Sequence, residues 1–256
     1  MVDQDIRYEA LSALLGKPVF SLRKFPEKSK GTSLTVDEFL TGSILGSKVI
    51  LTPQRTVQRK VLDLCFSVQQ EFFIDEQDFF DPDYDYDFTR LSTSSNCLRG
   101  DEPYERPCGW YRMALKVLDK YPDGNTWLGP DGWRSESAPG EWPVSYHGTT
   151  IDGAKSIIKC HFKAGSRDKF GRGIYSTPHL DIARDYYTKT FKSMTNGKTY
   201  RVVMQNRINP CERVICPEEE RYWLVHVPEG TSEEEEMRIV ENSIRPYGIL
   251  IQEVKH

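Results

Sequence analysis

The sequence predicts an α+β fold: a split, mainly antiparallel β-sheet with flanking helices, preceded by a helical N-terminal extension. Three observations carry that expectation. Residues 33–45 (SLTVDEFLTGSIL) and 54–73 (QRTVQRKVLDLCFSVQQEFF) repeat apolar side chains at about 3.6-residue spacing, the pattern of a helix with one buried stripe. Residues 198–208 (KTYRVVMQNRI), 221–227 (RYWLVHV) and 248–254 (GILIQEV) are rich in β-branched and aromatic residues and have the lengths strands prefer. Runs of strands with a few helices between them belong to an α+β domain.

The elements follow in chain order. Residues 1–100 read as a helical N-terminal extension with an acidic connector, and residues 101–256 as the main domain. The connector, 74–107, mixes acids, aromatics, serines and prolines without a period. Its DPDYDYD run lacks the glycine and terminal glutamate of a calcium loop, so a solvated acidic loop is expected. Residues 108–121 (CGWYRMALKVLDKY) read as an amphipathic helix with Met113, Val117 and Leu118 along one side. A turn-rich stretch, 122–143, carries Trp127, Trp133 and Trp142. A strand at 144–146 and a helix at 152–162 come next. The glycine-rich GRGIYSTP, 171–178, leads to a helix expected over 179–194, with Thr177 as cap and Pro178 in its first turn.

Composition narrows the function classes. The chain has 256 residues, 38% hydrophobic and 12% aromatic, enough for a sizeable core. A net charge of −4 makes no general case for nucleic-acid binding, though the local stretch KAGSRDKFGRG at 163–173 could line a groove. No apolar run approaches the ~20 residues of a membrane span, and the first residues lack a signal-peptide core. A soluble protein of the cytoplasm or nucleus is expected. The six cysteines form no C-x-x-C pair, so no metal site is expected, and reduced thiols are the simpler reading. Cys160 beside His161 sits on an expected helix, where adjacent side chains diverge.

The chemistry-bearing motifs lie in the second half. SYHGTT, 145–150, ends a strand with a histidine and a glycine; GRGIY, 171–175, brings backbone close to something; Tyr186 and Tyr187 follow on a helix. In this order and spacing the set resembles the NAD-binding half of the poly(ADP-ribose) polymerase-like, diphtheria-toxin-like ADP-ribosyltransferases. The resemblance covers about residues 140–256. GRGIY lacks the G-x-G-x-x-G spacing and following acid of a dinucleotide-binding Rossmann fold.

The resemblance implies the split-sheet ADP-ribosyltransferase fold, with NAD as co-substrate. It implies transfer of one ADP-ribose to a protein or nucleic-acid acceptor, with release of nicotinamide. By the same resemblance the backbone of Gly148 holds the nicotinamide carboxamide, and His147 hydrogen-bonds the adenosine ribose. Tyr175 and Tyr186 sandwich the nicotinamide ring, and Thr149 or Ser176 supplies a further hydroxyl. The family's catalytic glutamate sits on a late strand before a tyrosine. Here that strand reads EEERYWLVHV, so Glu220 is the candidate carboxylate, while Arg221 stands directly before Tyr222. If Arg221 faces the site, the alternative is an inactive transferase-like module that binds NAD, ADP-ribose or a protein partner. Arg207 and Asn209 read as strand-end turn residues, and Arg245 as an ion-pair partner of the glutamate run 233–236.

Overall fold

A computed structural model describes residues 3–26, 33–41, 71–92, 96–148, 170–188, 190–216 and 221–255. It is a mixed fold with mostly antiparallel sheets and few helices, consistent with the expected α+β class.

The N-terminal segment starts with helix α1 (Gln4–Leu15), which Asp3 caps through the Asp5 amide and Gly16 ends in the left-handed conformation. Its Leu11, Leu14 and Leu15 are fully buried. Strand β1 (Val19–Ser21) pairs in parallel with β2 (Phe72–Ile74). The helix expected over 33–45 is seen as α2 (Val36–Thr41), where Thr35 and Glu38 exchange hydrogen bonds as a capping box. Residues 42–45 and most of 54–73 lie outside the described residues, but Phe72 and Phe73 belong to β2, not to a helix.

The acidic connector is stitched into the core. After α3 (Glu76–Phe79), strand β3 (Tyr86–Asp87) opens the main sheet, and β4 (Leu98–Arg99) pairs with β5 (Glu102–Pro103). Asp85 is no solvated loop acid. It forms a 2.5 Å ion pair with the buried Arg7 and accepts from the Tyr111 hydroxyl and the Ala114 amide.

The 108–121 helix is overturned. Residues Tyr111–Ala114 form strand β6, paired with β3. The buried Tyr111, Met113, Leu115 and Val117 recur at every second position, which is the strand period. Gly109 and Asp119 both have positive φ, which a continuous helix could not accommodate.

The remaining elements build two sheets. Strand β7 (Val144–His147), β8 (Gly173–Ser176), helix α4 (Leu180–Tyr187) and β9 (Thr190–Lys192) follow in order. Then come β10 (Thr199–Ile208), β11 (Arg213–Ile215), β12 (Trp223–His226), helix α5 (Glu233–Ser243) and β13 (Ile244–Glu253). The main sheet runs β3-β6-β13-β10-β7, with β9 also on β10. The smaller sheet runs β11-β12-β8. One backbone bridge, Tyr146 to Thr177, joins them with bonds of 2.7 and 3.0 Å. Helix α4 is shorter than the expected 179–194: it starts two residues after Pro178, with His179 at the cap, and β-prone Thr190–Lys192 leave it for the sheet edge.

Alternation sorts the side chains of β7. Val144 and Tyr146 face a small cluster with Trp110, Leu180, Ala183, Val203 and Leu250. Ser145 and His147 face the opposite side, where the main core spans residues of α1, β6, β8, β10, β12 and β13. Residues from before and after position 100 share that core. No helix of the described residues is long and apolar enough to cross a membrane.

Candidate active site

The candidate site forms where β7 meets β8. His147 is the last residue of β7, and its Nδ1 lies 2.7 Å from the Tyr175 carbonyl oxygen. A carbonyl only accepts, so Nδ1 carries the proton and the neutral ring has its lone pair on Nε2. Burial lowers the His147 pKa below the usual imidazole value, against the opposing effect of that hydrogen bond. Burial therefore favours the neutral form of the ring.

The other predicted residues divide by strand parity. Tyr175 pairs with Leu224 across β8 and β12, so it shares that face and not the face of Ser176, which pairs with Trp223. The Tyr175 hydroxyl donates to Gly171 O at 2.9 Å and accepts from the Phe170 amide at 3.1 Å, fixing the ring over its own turn. Ser176 is buried, and continuing the Tyr146–Thr177 register sets it opposite His147. Its Oγ has no hydrogen-bond partner among the described residues.

Gly148 sits against helix α4. A methyl group there would lie 2.6 Å from Tyr187 Cβ and 2.8 Å from Ala183 O, so the helix backbone seats where a side chain would stand. Gly148→Ala is expected to push α4 off the end of β7 at a cost of about 1–3 kcal/mol, read by urea denaturation. A variant as stable as the parent would show that the helix does not need that seat.

Tyr186 does not join the group. It is 74% exposed, whereas Tyr187 packs at Gly148 and meets Tyr222 edge-to-face at 6.3 Å, with the two hydroxyls 3.1 Å apart. The helix phase explains the difference: Leu180, Ala183 and Tyr187 fall on one stripe, and Tyr186 lies off it. That stripe was readable in the sequence. Continuing the alternation of β12, Tyr222 falls on the face of Tyr175 and Leu224.

Thr149 and Glu220 lie outside the described residues, as do the helix expected over 152–162 and the Cys160–His161 pair. Arg221 is exposed in the turn before β12. Two other expectations are corrected. Arg245 pairs with Asp123 at 2.9 Å and stacks over Tyr121 instead of reaching the glutamate run, whose Glu236 takes Arg172. Arg207 lies within β10, where it pairs with Glu141 at 2.8 Å. Among the described residues, Glu105, His179 and Asp181 bring metal-ligand atoms within 4.8 Å of one another; all three are exposed, and Glu105 already accepts the Leu180 amide.

The described arrangement offers two strand-end backbones, the Tyr187–Tyr222 pair with Tyr175 on the same face by register, and the His147 imidazole on the opposite face with Ser176. These are groups for holding a planar ring, an amide and hydroxyls. No protein-family model matches the chain, and no curated protein matches it.

Proposed function

We propose that the protein is an NAD-dependent mono-ADP-ribosyltransferase of the poly(ADP-ribose) polymerase-like class, acting on a protein or nucleic-acid acceptor. The observation that carries the proposal is the His147–Tyr175 hydrogen bond, which draws the strand-end His-Gly and the Gly-Ile-Tyr motif to one seam. In this reading the split-sheet fold is that of the transferases. The Gly148 backbone holds the nicotinamide amide, and His147, kept neutral, serves the adenosine ribose. Tyr175 forms one wall of the ring slot. Tyr187 replaces Tyr186 as the other, because its Cβ seats against Gly148 whereas Tyr186 is 74% exposed. Each stacked ring adds ~1 kcal/mol beyond burial.

In the reaction the ribose C1–N bond breaks and its electron pair leaves with nicotinamide. The acceptor attacks C1 from the opposite face and gives up its proton, as in glycoside cleavage. Glu220 is assigned to the positive charge that develops on the ribose.

NAD at a hundredfold excess over Kd is expected to stabilise the protein by ~2.7 kcal/mol, seen as a raised Tm, and Tyr175→Ala to remove the shift. Undiminished NAD binding in that variant would refute the slot. The second reading, a module that binds NAD without transfer, is favoured by Arg221 standing directly before Tyr222. Labelled NAD separates the two: the enzyme leaves label on an acceptor, the module does not.

A further inference from the structure

We propose a second ligand site, for a mononucleotide, on the opposite face of the main sheet from His147. It is independent of the transferase reading. A cavity of about 500 Å³ opens there, within the size range of small-molecule sites. Arg112 is among its lining residues. This residue pairs with Leu250, so it projects from the face that also carries Tyr146, away from His147.

Arg112 has charge to spare. Its guanidinium lies among the rings of Tyr86, Phe88 and Tyr247, 5.4–6.0 Å from their centroids. Its hydrogen bonding is one bond, from Nη2 to the Tyr84 carbonyl at 3.1 Å, and its Nε is buried with no partner among the described residues. No carboxylate of the described residues pairs with it. Gly248 makes room for its stem, since a Cβ there would lie 2.7 Å from Arg112 Cδ.

The neighbouring wall adds to the positive field. Arg99, Arg134 and Arg207 also line the cavity, and all three converge on one carboxylate, Glu141. These three cations share that one carboxylate and otherwise bond backbone carbonyls, while Asp81, Asp83, Asp85 and Asp131 stand elsewhere in the lining. A phosphate suits this side: its oxygens accept from the N–H groups of a guanidinium fork.

Aromatic rings stand at the rim, each with one side occupied: Arg106 lies 3.8 Å over Trp133, and Tyr86 packs 4.3 Å from Phe88. Trp133 is 68% exposed and Tyr86 40% exposed, both in the cavity lining. A base stacks on such surfaces whatever its hydrogen-bonding edge. The exposed Asp83 and Asp131, also in the lining, oppose a long polyanion and confine the anionic group to the arginine side. A single nucleotide fits this division, with its phosphate at Arg112 and its base at Trp133 or Tyr86.

The test is titration of the whole protein with AMP, by calorimetry and by tryptophan fluorescence, alongside adenosine and inorganic phosphate. AMP is expected to bind at least tenfold more tightly than either fragment. Tyr175→Ala is expected to keep that binding, because it alters only the seam site. Arg112→Gln and the surface variant Trp133→Ala are each expected to weaken AMP tenfold or more. Trp133→Ala also guards against a folding defect in the first variant. Loss of AMP binding in Tyr175→Ala would place the nucleotide at the seam and overturn the proposal. So would no AMP binding, or binding that survives both the Arg112 and Trp133 changes. NAD binding or its failure at the seam leaves each of these outcomes readable.

Discussion

Replacing Glu141 by alanine is expected to cost about 3–5 kcal/mol, the loss seen when one partner is taken from a buried ion pair. The Glu141 side chain is fully buried and holds Arg134, Arg207 and Arg99 together. Without it three guanidiniums remain in the interior with no carboxylate. A typical domain has only about 5–15 kcal/mol of stability in total, so the variant should unfold in much milder urea. The same group gives acid sensitivity. Burial would raise the Glu141 pKa, but hydrogen bonds from Arg134, the charge of Arg207 and the Ala138 amide outweigh burial and lower it. A lowered folded-state pKa means its contribution is complete above the ordinary carboxylate value and is lost as pH falls through the folded value. The loss in Glu141→Ala should therefore shrink below about pH 4. A urea midpoint unchanged at pH 7 would show that the arginines have another counter-charge.

The second large effect belongs to catalysis. Glu220→Gln is expected to retain NAD binding and lower the transfer rate by about 10²-fold or more, roughly 2.7 kcal/mol of transition-state stabilisation. In the proposed reaction, a carboxamide keeps the shape and removes the charge assigned to the developing cation. Glu219→Gln serves as the neighbouring control and should change little. Arg221→Ala decides between the two registers: a larger effect on binding or rate than Glu220→Gln would assign the position to the arginine. Full activity in Glu220→Gln would sink the carboxylate assignment, and a parent protein without transfer would leave the binding module.

The strands of the second half were readable because β-branched and aromatic residues dominate them: Thr199–Ile208 and Trp223–His226 stand where their runs do. The misreading at 108–121 has a definite cause. Met113 and Val117 fit a helical stripe as well as a strand face, and only Tyr111 and Leu115, buried on the strand period, separate the two. Helix α5 was hidden for the opposite reason. Its four leading glutamates enter the sequence reading only as partners for Arg245, yet they sit where a helix N-terminus favours acids, with Ser232 as cap. At the site, His147 and Tyr175 were found by their motifs. Choosing between Tyr186 and Tyr187 needed the helix phase, and Asp85 needed a partner 78 residues away. Composition cannot reveal either.

The seam between the sheets has a mechanical consequence. β10 and β13 are laced through nine residue pairs, while β7 holds β8 through the Tyr146–Thr177 pair, with the His147 imidazole as one more tie. Each such bond is worth only about 1 kcal/mol net. The joint thus rests on far fewer backbone bonds than β10 and β13 share, and the candidate residues sit astride it. A molecule gripping both lips would act as a rivet, converting two plates that can flex into one stiff shell.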